Sequence, residues 1–270
     1  ERQRLEAWAG AYPPVRTPKR VLVVMAGNIP LVGFFDLLCV LASGHACRVK
    51  PSSKDTVLIG YVVDLLRTID PAIPLRMAEQ GERLDAVIAT GSDNANRYFR
   101  MLFGGIPSLL RGSRQSVAVL SGRETAAELS GLEEDIFAYS GLGCRNVSLL
   151  FLPRGYMPEL RCTALNEKYR RNYLRERALL RMCRMPFVDL DGAVLCEDRS
   201  FPAALSRIHY TFYDSLADVE AWLAAHDDRL QCVVSQCVRH SRRVAFGRAQ
   251  HPGLTDYADD VDTMRFLGTI

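Results

Sequence analysis

From residue 20 to 26 the chain reads RVLVVMA, an unbroken apolar run. A strand wetted on one face alternates in polarity, whereas one buried on both faces does not, so this run predicts an interior strand of a parallel sheet. The tight loop Gly27-Asn28-Ile29-Pro30 ends it. Apolar residues then fall at Leu31, Phe34, Phe35, Leu38 and Leu41, a helical spacing that stops at Gly44. The unit repeats. A strand at 46–50 (ACRVK) is followed by Ser52-Ser53-Lys54-Asp55, which supplies an N-cap for a helix through about residue 67. A strand at 85–90 (DAVIAT) leads through Gly91-Ser92-Asp93 into a helix through about residue 103, and 116–120 (SVAVL) reads as a fourth strand. Ahead of these, residues 1–9 form a short polar helix ended by Gly10 and Pro13-Pro14. Alternating strand, loop and helix means a parallel sheet with helices on both faces, and ligands of such sheets bind beyond the carboxyl ends of the strands.

The pattern changes after residue 122. A short helix at 133–139 runs into Gly141-Leu142-Gly143-Cys144, and 147–152 (VSLLFL) is a strand. Residues 158–185 read as a long polar helical region. A hairpin around Asp189-Leu190-Asp191-Gly192 follows, then a strand at 207–212, a helix at 216–225 and a strand at 231–235. The tail after Tyr257 predicts an edge strand. The organisation is therefore an α/β domain over 1–122, a second α/β domain over 123–256, and a tail over 257–270. The chain opens on Glu1, inside a predicted helix, and reads as a piece of a longer protein.

Composition adds exclusions. A length of 270 residues with 48% apolar and 24% charged residues describes an ordinary folded chain. A net charge of +3 is too weak for a nucleic-acid partner or an acidic membrane surface, and the Arg-rich runs at 168–177 and 239–248 read as solvated faces. The longest apolar stretch, 31–42, carries Asp36 and is too short for a membrane span. The eight cysteines show no Cys-x-x-Cys or zinc-finger spacing, and several lie in apolar runs, which predicts reduced thiols, no metal and a cytoplasmic setting.

Four places could carry chemistry, and each also has a plain structural reading. Asn28 ends a buried strand, where its amide could donate to a developing oxyanion or simply tolerate a turn. Gly91 and Ser92 open a helix whose N-terminus would favour a phosphate, as any capped strand-to-helix turn does. Lys50, Ser52 and Ser53, with Lys54, offer cations and hydroxyls after the second strand, suiting a ribose 2′-phosphate or just a polar turn. Cys144 stands among glycines that would let a substrate approach, yet it is one thiol of eight. A Cys-His protease is the competing use of that thiol, but no protease signature surrounds it and the five histidines do not point to it.

In this order, the stretches AGNIPLVGFFDLLCVLASGH, IATGSDNANRYF, RQSVAVLSG, DIFAYSGLGCRNVS and YADDVDTMRFL resemble the aldehyde dehydrogenase superfamily. They look closest to its acyl-CoA reductase branch, the fatty-acid reductases of bacterial luminescence. The resemblance runs from about residue 20 to 268. It implies a Rossmann-like cofactor domain beside an α/β catalytic domain, with a tail strand that joins subunits in a homo-oligomer. It assigns Cys144 as nucleophile and Asn28 as oxyanion donor. Lys50, Ser52 and Ser53 fall on the adenosine-ribose loop, and Gly91 and Ser92 on the pyrophosphate turn. Three departures stand out. The hydrolytic members carry a Glu general base just before the strand matching 116–120, and Leu109-Leu110-Arg111-Gly112-Ser113-Arg114 holds no carboxylate. Ser200-Phe201-Pro202 occupies the place of a Glu that grips the nicotinamide ribose. Asn96 and Arg97 stand where a second glycine of the pyrophosphate turn is expected.

Without the first Glu nothing activates water against an acyl-enzyme, which favours reduction over aldehyde oxidation. The expected activity is NADPH-dependent reduction of an acyl-CoA or acyl-carrier-protein thioester to an aldehyde, with NADH as an alternative donor. Two other readings are an acyl-accepting subunit of a multi-protein reductase and a catalytically silent acyl-binding protein.

Overall fold

The structure is a computed structural model that describes residues 2–162 and 166–270. The predicted helical region at 158–185 therefore falls partly on residues 163–165, outside the described residues. The chain forms two compact units, Glu1–Ser113 with Gly253–Ile270, and Arg114–Pro252.

The first unit runs α1 (Arg2–Gly10), β1 (Arg20–Val24), α2 (Phe34–Ala42), β2 (Ala46–Lys50), α3 (Thr56–Ile69), β3 (Leu75–Met77), β4 (Ala86–Thr90), α4 (Asp93–Phe103) and β5 (Ser108–Arg111). Its five strands are parallel in the order β3-β2-β1-β4-β5. Val21 and Val23 face a core with Leu37 and Val40 of α2 and Ile59 and Val63 of α3, while Leu22 and Val24 face Phe99 and Phe103 of α4. This two-sided burial is why RVLVV carries no alternation. In α2 the fully buried residues are Asp36, Leu37, Cys39 and Val40, not the Phe34-Leu38-Leu41 stripe. Asp36 can be buried because Arg111 reaches it with a guanidinium nitrogen at 2.5 Å and also donates to the Thr263 hydroxyl at 2.7 Å.

The second unit runs β6 (Gln115–Val119), α5 (Ala126–Phe137), β7 (Val147–Pro153), α6 (Glu167–Met182), β8 (Val188–Asp189), β9 (Val194–Glu197), β10 (Arg207–Tyr213), α7 (Leu216–Ala225), β11 (Leu230–Ser235) and β12 (Arg243–Val244). Its sheet has the order β12-β11-β6-β7-β10-β9-β8, parallel except for the β8–β9 hairpin. One face packs on α5 and on Tyr169 of α6, and the other on α7 through Val219 and Leu223.

Two expectations are corrected. The strand at 115–119 is not the fourth of the first sheet; it pairs with β7 and β11 inside the second, so the division falls at 113/114 and not near 122. The tail makes no edge strand. Residues 263–267 form a short helix, α8 (Thr263–Leu267), started by the Asp262 carboxylate on the Arg265 N–H. Tyr257, Met264 and Leu267 sink into the first unit's core, where the 264/267 spacing of a helix presents both side chains inward. The strand from which a homo-oligomer was expected is thus absent among the described residues. No helix among them is long and apolar enough to cross a membrane.

Candidate functional site

In the first unit the chain leaves β1 for β2 and β3 on one side and later returns to β4 and β5 on the other. A parallel sheet opens a crevice beyond its carboxyl edge where the strand order reverses in this way, here between β1 and β4. Asn28, Lys50, Ser52, Ser53, Gly91 and Ser92 all follow the carboxyl ends of β1, β2 or β4, so the fold gathers these six on that edge. Asn28, Lys50, Ser53 and Ser92 are exposed.

The loops there are built to close tolerance. The Met25 N–H donates to the Lys50 carbonyl at 3.0 Å. A Cβ on Gly27 would stand 2.4 Å from the Ser52 hydroxyl oxygen, so only glycine lets the β1 and β2 loops touch. Ser92 caps α4 by accepting the Ala95 N–H at 3.3 Å, and a Cβ on Gly91 would lie 2.9 Å from that of Ala95. Asp55 occupies the N-cap position of α3 but makes no side-chain bond to its own helix. Its buried carboxylate instead accepts the N–H of Leu31 at 2.7 Å, at the end of the Asn28 loop where Leu31 adopts a left-handed φ of 59°. Asp55 is therefore a tether for the Asn28 loop, a role the N-cap reading of Ser52–Asp55 did not foresee.

Cys144 belongs to the second unit and lies just ahead of the amino end of β7. The helix leading to it, α5, starts on a capping box between Thr125 and Glu128. It ends abruptly, with Tyr139, Ser140 and Gly141 at φ of 52°, 54° and 63°. Left-handed conformations at Tyr and Ser cost on the order of 1 kcal/mol each and need outside support. Asn146 gives it. Its amide nitrogen donates to the carbonyls of Asp135 (3.2 Å), Ile136 (3.1 Å) and Ala138 (2.9 Å), freed where the helix stops. Its amide oxygen accepts the Gly143 N–H at 2.8 Å. On the other side of Cys144, Ser116 of β6 donates its hydroxyl to the Cys144 carbonyl at 2.9 Å and accepts the Cys232 N–H at 3.2 Å. Asp135, fully buried, accepts the N–H groups of Gly247 (2.7 Å) and Ala249 (2.9 Å). Burial pushes its carboxyl up to about 6, against the pull of those two N–H groups.

The thiols divide by environment. Cys39, Cys47, Cys196 and Cys232 are buried, and burial pushes Cys47 up to about 12 and Cys232 up to about 11, which keeps them inert. Cys144 and Cys183 are exposed, and Cys183 only ends α6. A cleft of about 170 Å³ opens beside the Cys144 loop, bounded by Gly141, Gly143, Asn146, Val147, Tyr169 and Leu205.

Two of the sequence departures acquire a structural explanation. In the stretch without a carboxylate, Arg111 turns into the first core toward Asp36. At Ser200-Phe201, the Ser200 N–H is held by Asp198 at 2.8 Å, and Phe201 packs on Trp222 with ring centroids 5.6 Å apart. Each of the five histidines has a partner away from the 141–146 loop: His45 with Leu267, His209 with Ser200, His226 with Trp222, His240 with Asp227 and His251 with Glu134. Among the described residues no three His, Cys, Asp or Glu side chains form a metal cluster.

Asn146, Ser116, Asp135 and Asp55 were missed as site residues. One signal was available: Ser116 is a polar residue inside the otherwise apolar run SVAVL.

Neither a protein-family model nor a curated protein sequence matches the chain. Solved structures do. An aldehyde dehydrogenase of Mycobacterium tuberculosis complexed with NAD+ is 17% identical over 75% of this chain and 53% of its own, with a TM-score of 0.59. An aldehyde dehydrogenase of Bacillus cereus, also an NAD+ complex, is 13% identical over 87% of this chain and 62% of its own, at 0.64. An oxidoreductase of Marinobacter aquaeolei is 11% identical over 93% and 68%, at 0.65. The chain thus spans 53% and 62% of the length of those two dehydrogenases. The chain therefore has an α/β fold with parallel sheets that is similar to the fold of these aldehyde dehydrogenases.

Proposed function

We propose that this chain reduces an acyl thioester, carried on CoA or an acyl-carrier protein, to an aldehyde through an acyl group held on Cys144. One observation carries the reading: Cys144 is an exposed thiol in a loop whose peptides on both sides are hydrogen-bonded in place, while the buried thiols are pushed away from reactivity. The similarity in fold to aldehyde dehydrogenases supports the same reading.

A nicotinamide dinucleotide suits the carboxyl edge of the first unit's sheet. Gly27 and Gly91 let the loops of that edge pack tightly on Ser52 and on α4, the N-terminus of α4 favours a pyrophosphate, and the β2 loop brings two ammonium groups, Lys50 and Lys54. Lys50, Ser52 and Ser53 would hold the adenosine ribose, with NADPH favoured over NADH by the cations, and Gly91 and Ser92 the pyrophosphate. The bound cofactor supplies hydride.

The Cys144 thiolate adds to the thioester carbonyl, and its new C–S bond replaces the bond to CoA or carrier, which leaves as a thiolate. Asn28 and the Cys144 N–H are the donors assigned to the oxyanion. After hydride addition the thiohemiacetal anion on Cys144 collapses, its C–S bond breaks, the aldehyde leaves, and the electron pair returns to sulfur to regenerate the Cys144 thiolate. No carboxylate in 109–114 stands ready to activate water, so the acyl group waits for hydride.

The test is an aldehyde-product assay with acyl-CoAs of graded length and each cofactor. Cys144→Ala should lower the rate about 10³-fold or more and abolish the acyl adduct in the intact mass. Wild-type rates from Cys144→Ala would refute the proposal.

A further inference from the structure

We infer that Asn146 and Ser116 are positioning residues that fix the Leu142–Gly143 and Cys144–Arg145 peptides on either side of the Cys144 N–H and so set the nucleophilicity of Cys144; this rests on the reading of Cys144 as nucleophile. Each side chain is buried and ties the Cys144 loop to regular structure: Asn146 ties it to the end of α5, and Ser116 ties it to β6 and β11.

Asn146 is 5% exposed and makes four bonds. Three carbonyls from the end of α5 share its two N–H donors, which stops the helix and holds the turn at Tyr139, Ser140 and Gly141. Its oxygen takes the Gly143 N–H and fixes the peptide before the Gly143–Cys144 link. Ser116, fully buried in the neighbouring strand, fixes the peptide after Cys144 by donating to the Cys144 carbonyl. That hydroxyl is held in turn by the Cys232 N–H, so β6 and β11 both anchor the loop. Cys144 is thus clamped on both sides, by a side chain two residues ahead and by one 28 residues back. Two consequences follow. The Gly143–Cys144 peptide, lying between the clamps, has little freedom to reorient, which lowers the reorganisation its N–H needs when charge develops on a carbonyl oxygen. The thiol is also kept on the surface beside the cleft instead of folding back, as a chain of glycines at 141 and 143 would otherwise allow. A misplacement on the order of 1 Å is enough to cost about 100-fold in a reaction that depends on approach geometry.

The experiment is pH-resolved alkylation of Cys144 by iodoacetamide, followed site by site by mass spectrometry, on the wild type, Asn146→Ala, Ser116→Ala and the double variant, with kcat and KM for aldehyde formation measured in parallel. Each single variant is expected to lower the high-pH plateau of Cys144 alkylation and kcat by about 10- to 100-fold, with KM for the thioester little changed. Cys183, exposed but unclamped, should keep its wild-type alkylation rate. Because both residues hold one loop, the double variant should lose less than the product of the single effects. A purely structural role would move the melting temperature and the exposure of Cys232 but leave that plateau where it is. If Asn146→Ala does not fold, Ser116→Ala, which removes only one hydroxyl, decides. Plateaus and kcat at wild-type values in a folded variant overturn the clamp while leaving the nucleophile standing. Wild-type Cys144 alkylating no faster than Cys183 overturns the nucleophile reading, and the clamp with it.

Discussion

The two units solve the same problem, holding a loop at the end of a parallel strand, by different means. In the first, the loops lie after the carboxyl ends of β1, β2 and β4 and are fixed largely by missing atoms: Gly27 against Ser52, and Gly91 against Ala95. In the second, the loop carrying Cys144 lies before the amino end of β7 and is fixed by added atoms, the polar side chains of Asn146 and Ser116, while Asp135 at the end of α5 holds the 247–249 segment in the same way. The first arrangement packs loop backbone against loop backbone along a whole sheet edge. The second leaves little freedom for a single reactive atom. A dinucleotide is bound over a wide surface, whereas a nucleophile must be placed to a fraction of an ångström, so the contrast follows from what each edge is proposed to do.

The strongest way to break this contrast is to remove a polar post from the second unit. In Asp135→Ala the Gly247 and Ala249 N–H groups lose their shared acceptor, a cost of about 2–3 kcal/mol from one buried and one half-buried donor left unpaired. Urea unfolding should show that loss in full. It should also depend on pH with a definite sign. The native carboxyl titrates near 6, above its ordinary value, so the fold prefers the protonated form. Stability from this group is complete below about pH 4 and is lost as pH rises through about 6. The gap between wild type and variant should therefore narrow from pH 4 to 6 and stay level above. A gap that widens over that range would mean that the two N–H bonds outweigh burial.

The matching change in the first unit is smaller. Asp55→Ala removes one acceptor, that of the Leu31 N–H, worth about 1–2 kcal/mol, and releases the Asn28 loop at the point where Leu31 is left-handed. NADPH affinity measured by nicotinamide fluorescence should fall several-fold, while the iodoacetamide rate of Cys144, which lies in the other unit, stays constant. A fall in both would erase the contrast between the units.

How far each unit was legible follows the same division. RVLVV and AVIAT are buried on two faces, so their apolar runs mark the strands almost to the residue, while ACRVK shows the alternation of a strand with Cys47 and Val49 buried and Lys50 exposed. β3 and β5, three and four residues at the sheet's edges, are too short to leave a run. SVAVL looked like one more such strand, and nothing local says which sheet it joins. The tail failed for another reason: YADDVDTMRFL mixes β-branched and helical residues, and only packing of Met264 and Leu267 against the first core decides for a helix. At the site, glycines at strand ends announced the first unit's loops. The Asn146 clamp was silent, because the carbonyls it binds are freed by left-handed turns at Tyr139 and Ser140, which neither residue type advertises.

The smallest expected effect tests the loop that distinguishes one cofactor from another. Lys50 ends β2, is exposed, and has Ser52, Ser53 and Lys54 beside it in the chain. An exposed ammonium next to a ribose 2′-phosphate gains a charge-assisted contact, but water screens it, so about 1–1.4 kcal/mol is the reasonable scale. Lys50→Ala should then reduce kcat/KM for NADPH by about 5- to 10-fold and leave NADH unchanged, since NADH offers a hydroxyl there in place of a phosphate. Raising the salt concentration should shrink the wild-type preference toward that of the variant, as screening weakens exposed charges more than it weakens the buried posts around Cys144. An equal loss for both cofactors would assign Lys50 to the shape of the β2 loop, and the edge would then be built for a ribose without regard to its phosphate.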